Sequence, residues 1–155
     1  MASLASKMRV CCYAFGLALL FTPHGGNAEP TTPRAGANPT GTWIDHTGRG
    51  AVEIKDCAGK LCGHIVWIED GQPPEACGKE IIGDVKFVGD GKWDQGWIYD
   101  PELDSEFDVE LTPLANGNLQ VLGYAGFKTL SETMIWKRAP ADLKPCSVGG
   151  VVAVK

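Results

Sequence analysis

From Gly41 onward the chain is written in short apolar–polar alternations interrupted by turn residues. In "AVEIKD" (51–56), Val52 and Ile54 fall on one face and Glu53 and Lys55 on the other. "SEFDVEL" (105–111) sets Phe107, Val109 and Leu111 against Glu106, Asp108 and Glu110, the period of two expected of a half-buried strand. "DVKFVG" (84–89) repeats the alternation, and "KWDQGWIYD" (92–100) predicts a strand with Trp93, Trp97 and Tyr99 on one face. "LCGHIVWI" (61–68) is more continuously apolar. "GTWI" (41–44), "NLQVLGYAG" (118–126) and "FKTLSETMIWKR" (127–138) complete about eight strands. The punctuation suits hairpins, because "CAGK" (57–60), "GDGK" (89–92) and "NGN" (116–118) place Gly or Asn where tight turns need positive φ. Only "PEACGKEII" (74–82) admits a short helical turn. The pattern predicts an all-β fold, an up-and-down antiparallel β-barrel of about eight strands or a sandwich of the same meander.

The region before Gly41 reads differently. Lys7 and Arg9 precede a twelve-residue apolar run, Val10–Phe21, too short to cross a bilayer, which takes about 20 apolar residues. Polar breakers follow, and Gly26-Asn27-Ala28 has the small-x-small form of a cleavage site. The expectation is a signal peptide over 1–28, cleaved near Ala28, and a periplasmic or secreted product. Residues 29–40, rich in Pro, Thr and Gly, are expected to be a flexible lead-in, 41–140 the barrel domain and 141–155 a C-terminal tail. Cleavage would leave 12 basic against 19 acidic residues. That balance argues against nucleic acid and anionic membrane surfaces as partners, and no further apolar run approaches spanning length.

Four cysteines remain after position 28: Cys57, Cys62, Cys77 and Cys146. An even count in an exported chain predicts disulfides. Cys57 closes one strand and Cys62 opens the next across a hairpin tip, so they are expected to face each other and bond. Cys77 and Cys146 then pair by elimination, tying the 69–83 loop to the tail. Zinc held by Cys57, Cys62 and His64 lacks a fourth ligand nearby, and a redox pair would use C-x-x-C at a helix start. No metal or cofactor is expected.

In a closed barrel the first and last strands are neighbours. Trp43 of "GTW" is then expected to plug one end, with Arg138 or Lys137 of "MIWKR" laid across its indole. Taken in order, "GTW", "VEIKDCAGKLCGHIVWI", "GKWDQGWIYDPE", "LQVLGYAGF" and "TMIWKR" resemble the exported bacterial family DUF2147 over Gly41–Arg138. Cys57, Leu61, Cys62, Gly63, Ile65 and Trp67 match its cysteine hairpin, and Trp93, Gly96, Ile98, Tyr99 and Pro101 its W-x-G-x-I-Y-x-P element, with altered spacing at the front. Tyr124 and Leu130 occupy the region where many members carry further cysteines. The resemblance implies a lipocalin-like barrel and export. It implies no established activity, and it does not supply the Cys77–Cys146 pair.

Three kinds of function fit such a chain. A barrel of this size holds packed side chains or one small ligand, and Trp67, Trp93, Trp97, Tyr99 and Phe107 are the aromatic residues expected to line an apolar pocket. An interaction module, such as a periplasmic enzyme inhibitor, would use the long Pro- and Gly-bearing loop Glu69–Gly83 and its acidic surface against an envelope protein partner. Catalysis lacks a motif: there is no G-x-S-x-G and no H-E-x-x-H. In the acidic run Asp100–Glu110, Glu106, Asp108 and Glu110 alternate with apolar residues as a solvated strand face does, and the run lacks the order of a calcium loop. The expected function is therefore a non-catalytic binding protein of the cell envelope that holds a small apolar or amphipathic ligand.

Overall fold

The computed structural model describes residues 38–146, so the expected signal peptide over 1–28, most of the expected lead-in and the end of the expected tail lie outside the described residues. Eight antiparallel strands follow one another round a closed barrel: β1 Gly41–Ile44, β2 Gly50–Cys57, β3 Lys60–Ile68, β4 Glu80–Gly89, β5 Lys92–Asp100, β6 Ser105–Pro113, β7 Leu119–Ala125 and β8 Phe127–Arg138. The up-and-down meander and the number of strands are those the alternation predicts. A single 3₁₀ turn, Pro74–Ala76, sits in the β3–β4 connection.

The inner face holds Trp43, Val52, Ile54, Leu61, Val109, Leu111, Leu119, Val121 and Trp136, all nearly inaccessible to solvent. Each buried aliphatic side chain contributes about 1.5–3 kcal/mol relative to exposure. At the β2–β3 tip both Ala58 (φ 59°) and Gly59 (φ 84°) are left-handed, as a two-residue hairpin turn requires.

One strand departs from its expected face pattern. Gln95 takes φ 65°, and the β5–β6 register jumps between the Trp93–Leu111 and Gly96–Val109 pairs. This bulge inserts a residue and reverses the alternation beyond it. Trp93 therefore points inward with Leu111, Ile98 points inward with Phe107, and Trp97 points outward opposite Asp108. Trp93, Trp97 and Tyr99 do not share a face.

Both expected disulfides are present. Cys57 and Cys62 are not directly opposed, because Cys57 pairs with Lys60 and Cys62 with Lys55. The bond runs diagonally across the tip with the Cα atoms 5.9 Å apart. Cys77–Cys146 spans 69 positions and brings the tail against β3. There Val66 is the extra residue of a second bulge, between the Ala51–Trp67 and Val52–Ile65 pairs, and its carbonyl accepts a hydrogen bond from the Cys146 N–H at 2.7 Å. The tail thus satisfies a backbone group that the bulge removes from the ladder.

In the chain-entropy account of cross-links, opening the long loop by Cys77→Ser with Cys146→Ser lowers stability by about 4 kcal/mol, and Cys57→Ser with Cys62→Ser by about 2 kcal/mol. Urea denaturation of the two double variants checks the order.

Candidate functional site

The two ends of the barrel are built differently. At one end β1 closes onto β8 through only two residue pairs, Trp43 with Arg138 and Ile44 with Lys137. The Trp43 indole, 1% exposed, donates its N–H to the Pro39 carbonyl at 2.7 Å. The Arg138 guanidinium lies 3.7 Å from the centre of the Trp43 ring and donates to the Thr40 carbonyl at 3.0 Å. Burial against the indole holds the Arg138 pKa below its ordinary value, which still leaves a guanidinium charged at any physiological pH. Tryptophan, cation and lead-in backbone together seal this end.

The opposite end is less completely laddered. β1 has 4 residues and β8 has 12, so beyond the closing pairs β8 is laddered to β7 alone among the described residues. The inward apolar side chains Ile65, Phe107 and Met134 are here only half-buried. Gly123 stands among them on the inner face, and a methyl group added to it would lie 3.8 Å from Met134 and 3.9 Å from Ile98, at ordinary contact distance and without a clash. Glu132, the register partner of Gly123, brings a carboxylate to the same face and is exposed.

Of the five aromatic residues expected to line a pocket, the barrel turns two inward. Phe107 reaches the open end and Trp93 packs on the core, with its ring 5.2 Å from that of Phe87. Trp67 pairs with Ala51 and Tyr99 with Glu106, both on the outer face, and the Tyr99 hydroxyl donates to Asp104 at 2.6 Å. Trp97 is also outside, and its indole lies so close over Gly83 that any side chain at position 83 would collide with it.

A polar cluster that the alternation conceals lies on the outer wall. Lys128 joins Asp94 of β5 to Glu110 of β6. Lys92 also reaches Glu110, at 3.1 Å, and the Tyr124 hydroxyl donates to Asp94 at 2.7 Å. The Glu110 side chain is only 4% exposed. Burial pushes the Glu110 carboxyl up, but hydrogen bonds from Lys128 and then Lys92 outweigh burial and hold it below its ordinary value. Asp94 is likewise raised by burial and lowered further by Lys128 and Tyr124. Burial and the Asp94 contact push the Tyr124 hydroxyl up to about 12. Three strands and the start of a fourth are pinned together by this cluster, yet in sequence Glu110 looks like an ordinary solvent-facing strand residue. Among the described residues no three of His, Cys, Asp and Glu are placed to hold a metal ion, and Cys57 and Cys62 are bonded to each other.

The family model described as an uncharacterised protein conserved in bacteria, DUF2147, matches residues 41–138. The chain belongs to DUF2147. Its match begins and ends with the two strands that close the barrel. Among solved structures, this DUF2147 barrel is similar to HP1028 from the human pathogen Helicobacter pylori, described as belonging to the lipocalin family. The TM-score is 0.56 at 17% identity, over 68% of this chain and 85% of that one. That likeness shows the fold. No curated protein matches the chain.

The carboxylates in the cluster titrate lower in the folded chain than in the unfolded one. Their stabilisation is therefore complete above the ordinary carboxylate range and drains away as pH falls through it, below about 4.5. Lys128→Met leaves Glu110 short of a partner and costs about 2 kcal/mol near neutral pH. The variant also loses less stability than the parent between about pH 4.5 and the parent's acid unfolding. Guanidinium denaturation across that pH series reads both effects.

Proposed function

We propose that this DUF2147 protein is an exported, non-catalytic binding protein of the cell envelope, holding one small apolar or amphipathic ligand in the open end of its barrel. The observation that carries the reading is the contrast between the ends. One is sealed by Trp43 and Arg138. The other leaves Ile65, Phe107 and Met134 half-buried around Gly123, where an added methyl group fits at contact distance. Ligand sites favour such an arrangement, a mostly apolar concavity with few polar groups. Glu132 supplies the polar group at the rim. An apolar body would rest on Phe107 and Met134 and a polar end near Glu132. The lipocalin-like fold and the two disulfides support binding and export at the level of the fold.

The partner reading has one supporting observation. The loop expected over Glu69–Gly83 ends at Lys79, because β4 begins at Glu80. The largely exposed connection is tethered through Cys77 to the tail, which lowers the entropy lost when a loop is captured by a protein.

Gly123→Leu tests the barrel reading, because its side chain fills the open end without a conformational penalty from positive φ. The parent protein is expected to enhance the fluorescence of N-phenyl-1-naphthylamine and to carry a small molecule in native mass spectra when purified from its own cells. Gly123→Leu, with unchanged circular dichroism, is expected to lose both signals. A parent that neither binds the probe nor carries a small molecule, or a variant that binds as well as the parent, overturns the reading. An empty barrel that co-purifies with an envelope protein favours the tethered loop.

A further inference from the structure

We infer that the outer wall carries a second binding site, for a small organic cation, in a groove between Trp97 and Tyr124. The groove has a volume of about 380 Å³ and is open to solvent. Its plan follows from register. Trp97 of β5 pairs with Asp108 of β6, and Asp108 pairs with Tyr124 of β7. A carboxylate therefore stands on the middle strand between two aromatic side chains on the flanking strands, all three on the outer face. Two interstrand spacings set the backbones of the two aromatic residues roughly 10 Å apart. Both side chains line the groove and offer an organic cation apolar and π surface.

Both walls are fixed before any guest arrives. Trp97 lies flat over Gly83, where only glycine leaves room for the indole. Tyr124 is anchored through its hydroxyl to Asp94. Lys128, whose ammonium lies 5.4 Å from the Tyr124 ring, is engaged by Asp94 and Glu110.

The charge of the groove is one-sided. Glu106 lies two residues from Asp108 on the same face and also lines the groove, and no Lys, Arg or His does. Neither carboxylate has an ion-pair partner among the described residues. Asp108 Oδ2 accepts the Gly126 N–H at 3.0 Å, which orients the carboxylate and leaves its other oxygen for a guest. Two carboxylates between aromatic walls repel anions and offer a neutral apolar molecule little. They suit an ammonium or guanidinium on a short apolar stem. The same chemistry is carried by a free amine and by a lysine or arginine side chain, and the site commits to the free small molecule.

The test titrates agmatine, which carries both cationic groups, into the full chain while amide and indole resonances are followed by NMR. The Trp97 indole and Gly126 amide are expected to shift together and saturably, with the affinity falling as salt rises. Trp97→Ala and Glu106→Gln are each expected to weaken binding about tenfold. Asp108→Asn, which keeps an oxygen for the Gly126 N–H, is expected to do the same. Gly123→Leu in the barrel mouth is expected to leave agmatine binding unchanged, separating this site from the ligand of the barrel. Resonances that do not move at millimolar agmatine overturn the inference, as does equal affinity in Glu106→Gln and Asp108→Asn. Shifts produced by an arginine-bearing peptide but not by agmatine overturn the small-molecule assignment.

Discussion

The architecture depends on one contact between its first strand and its last. Eight strands in a row make an open sheet with two raw edges, and closure removes them. Here closure rests on two residue pairs, reinforced by the Arg138 guanidinium over the Trp43 indole and by its bond to the Thr40 carbonyl. The cation serves three ends at once. It covers an aromatic face that would otherwise meet water, it holds the lead-in across the barrel end, and it keeps β8 in register with β1. With so few ladder bonds at the seam, side-chain chemistry has to supply what the backbone does not.

From that seam follows the asymmetry of the molecule. β1 is short, so the barrel is tight where it closes and loose where β8 runs on without a second neighbour. The interior grades from fully buried residues such as Leu119 and Trp136 to half-buried ones such as Phe107 and Met134. On the outer wall Lys128, Asp94, Glu110 and Tyr124 tie β5 to β8. Burial of Glu110 is tolerable because two lysines meet it; a buried carboxylate missing one partner is costly.

Much of this was legible in the chain and some was not, for identifiable reasons. β2 and β6 keep an unbroken period of two through their inward residues, so Val52, Ile54, Val109 and Leu111 declared their face directly. Trp43 and Arg138 were legible because ring closure makes the terminal strands neighbours whatever the loops do. The Cys57–Cys62 bond followed from a tight turn, although its diagonal geometry depends on the two-residue tip. β5 misled because parity is counted from one end, and a single extra residue at Gln95 inverts everything after it. The local hint was a polar residue followed by glycine inside an aromatic strand. The row Trp97–Asp108–Tyr124 could not be read at all, since a row across strands exists only once register is fixed, and the Glu110 cluster was hidden for the same reason.

The seam also sets the order in which the molecule comes into being. Arg138 and Thr40, which it joins, lie 98 residues apart along the chain. Contacts of such high separation form late, because the entropy of the long loop must be overcome before they stabilise anything. A chain delivered only as far as β7 has a full complement of hairpins and an unfinished sheet with both edges bare. The last strand to be made is thus the one that turns a sheet into a container, and Cys146, eight positions further on, fastens the result.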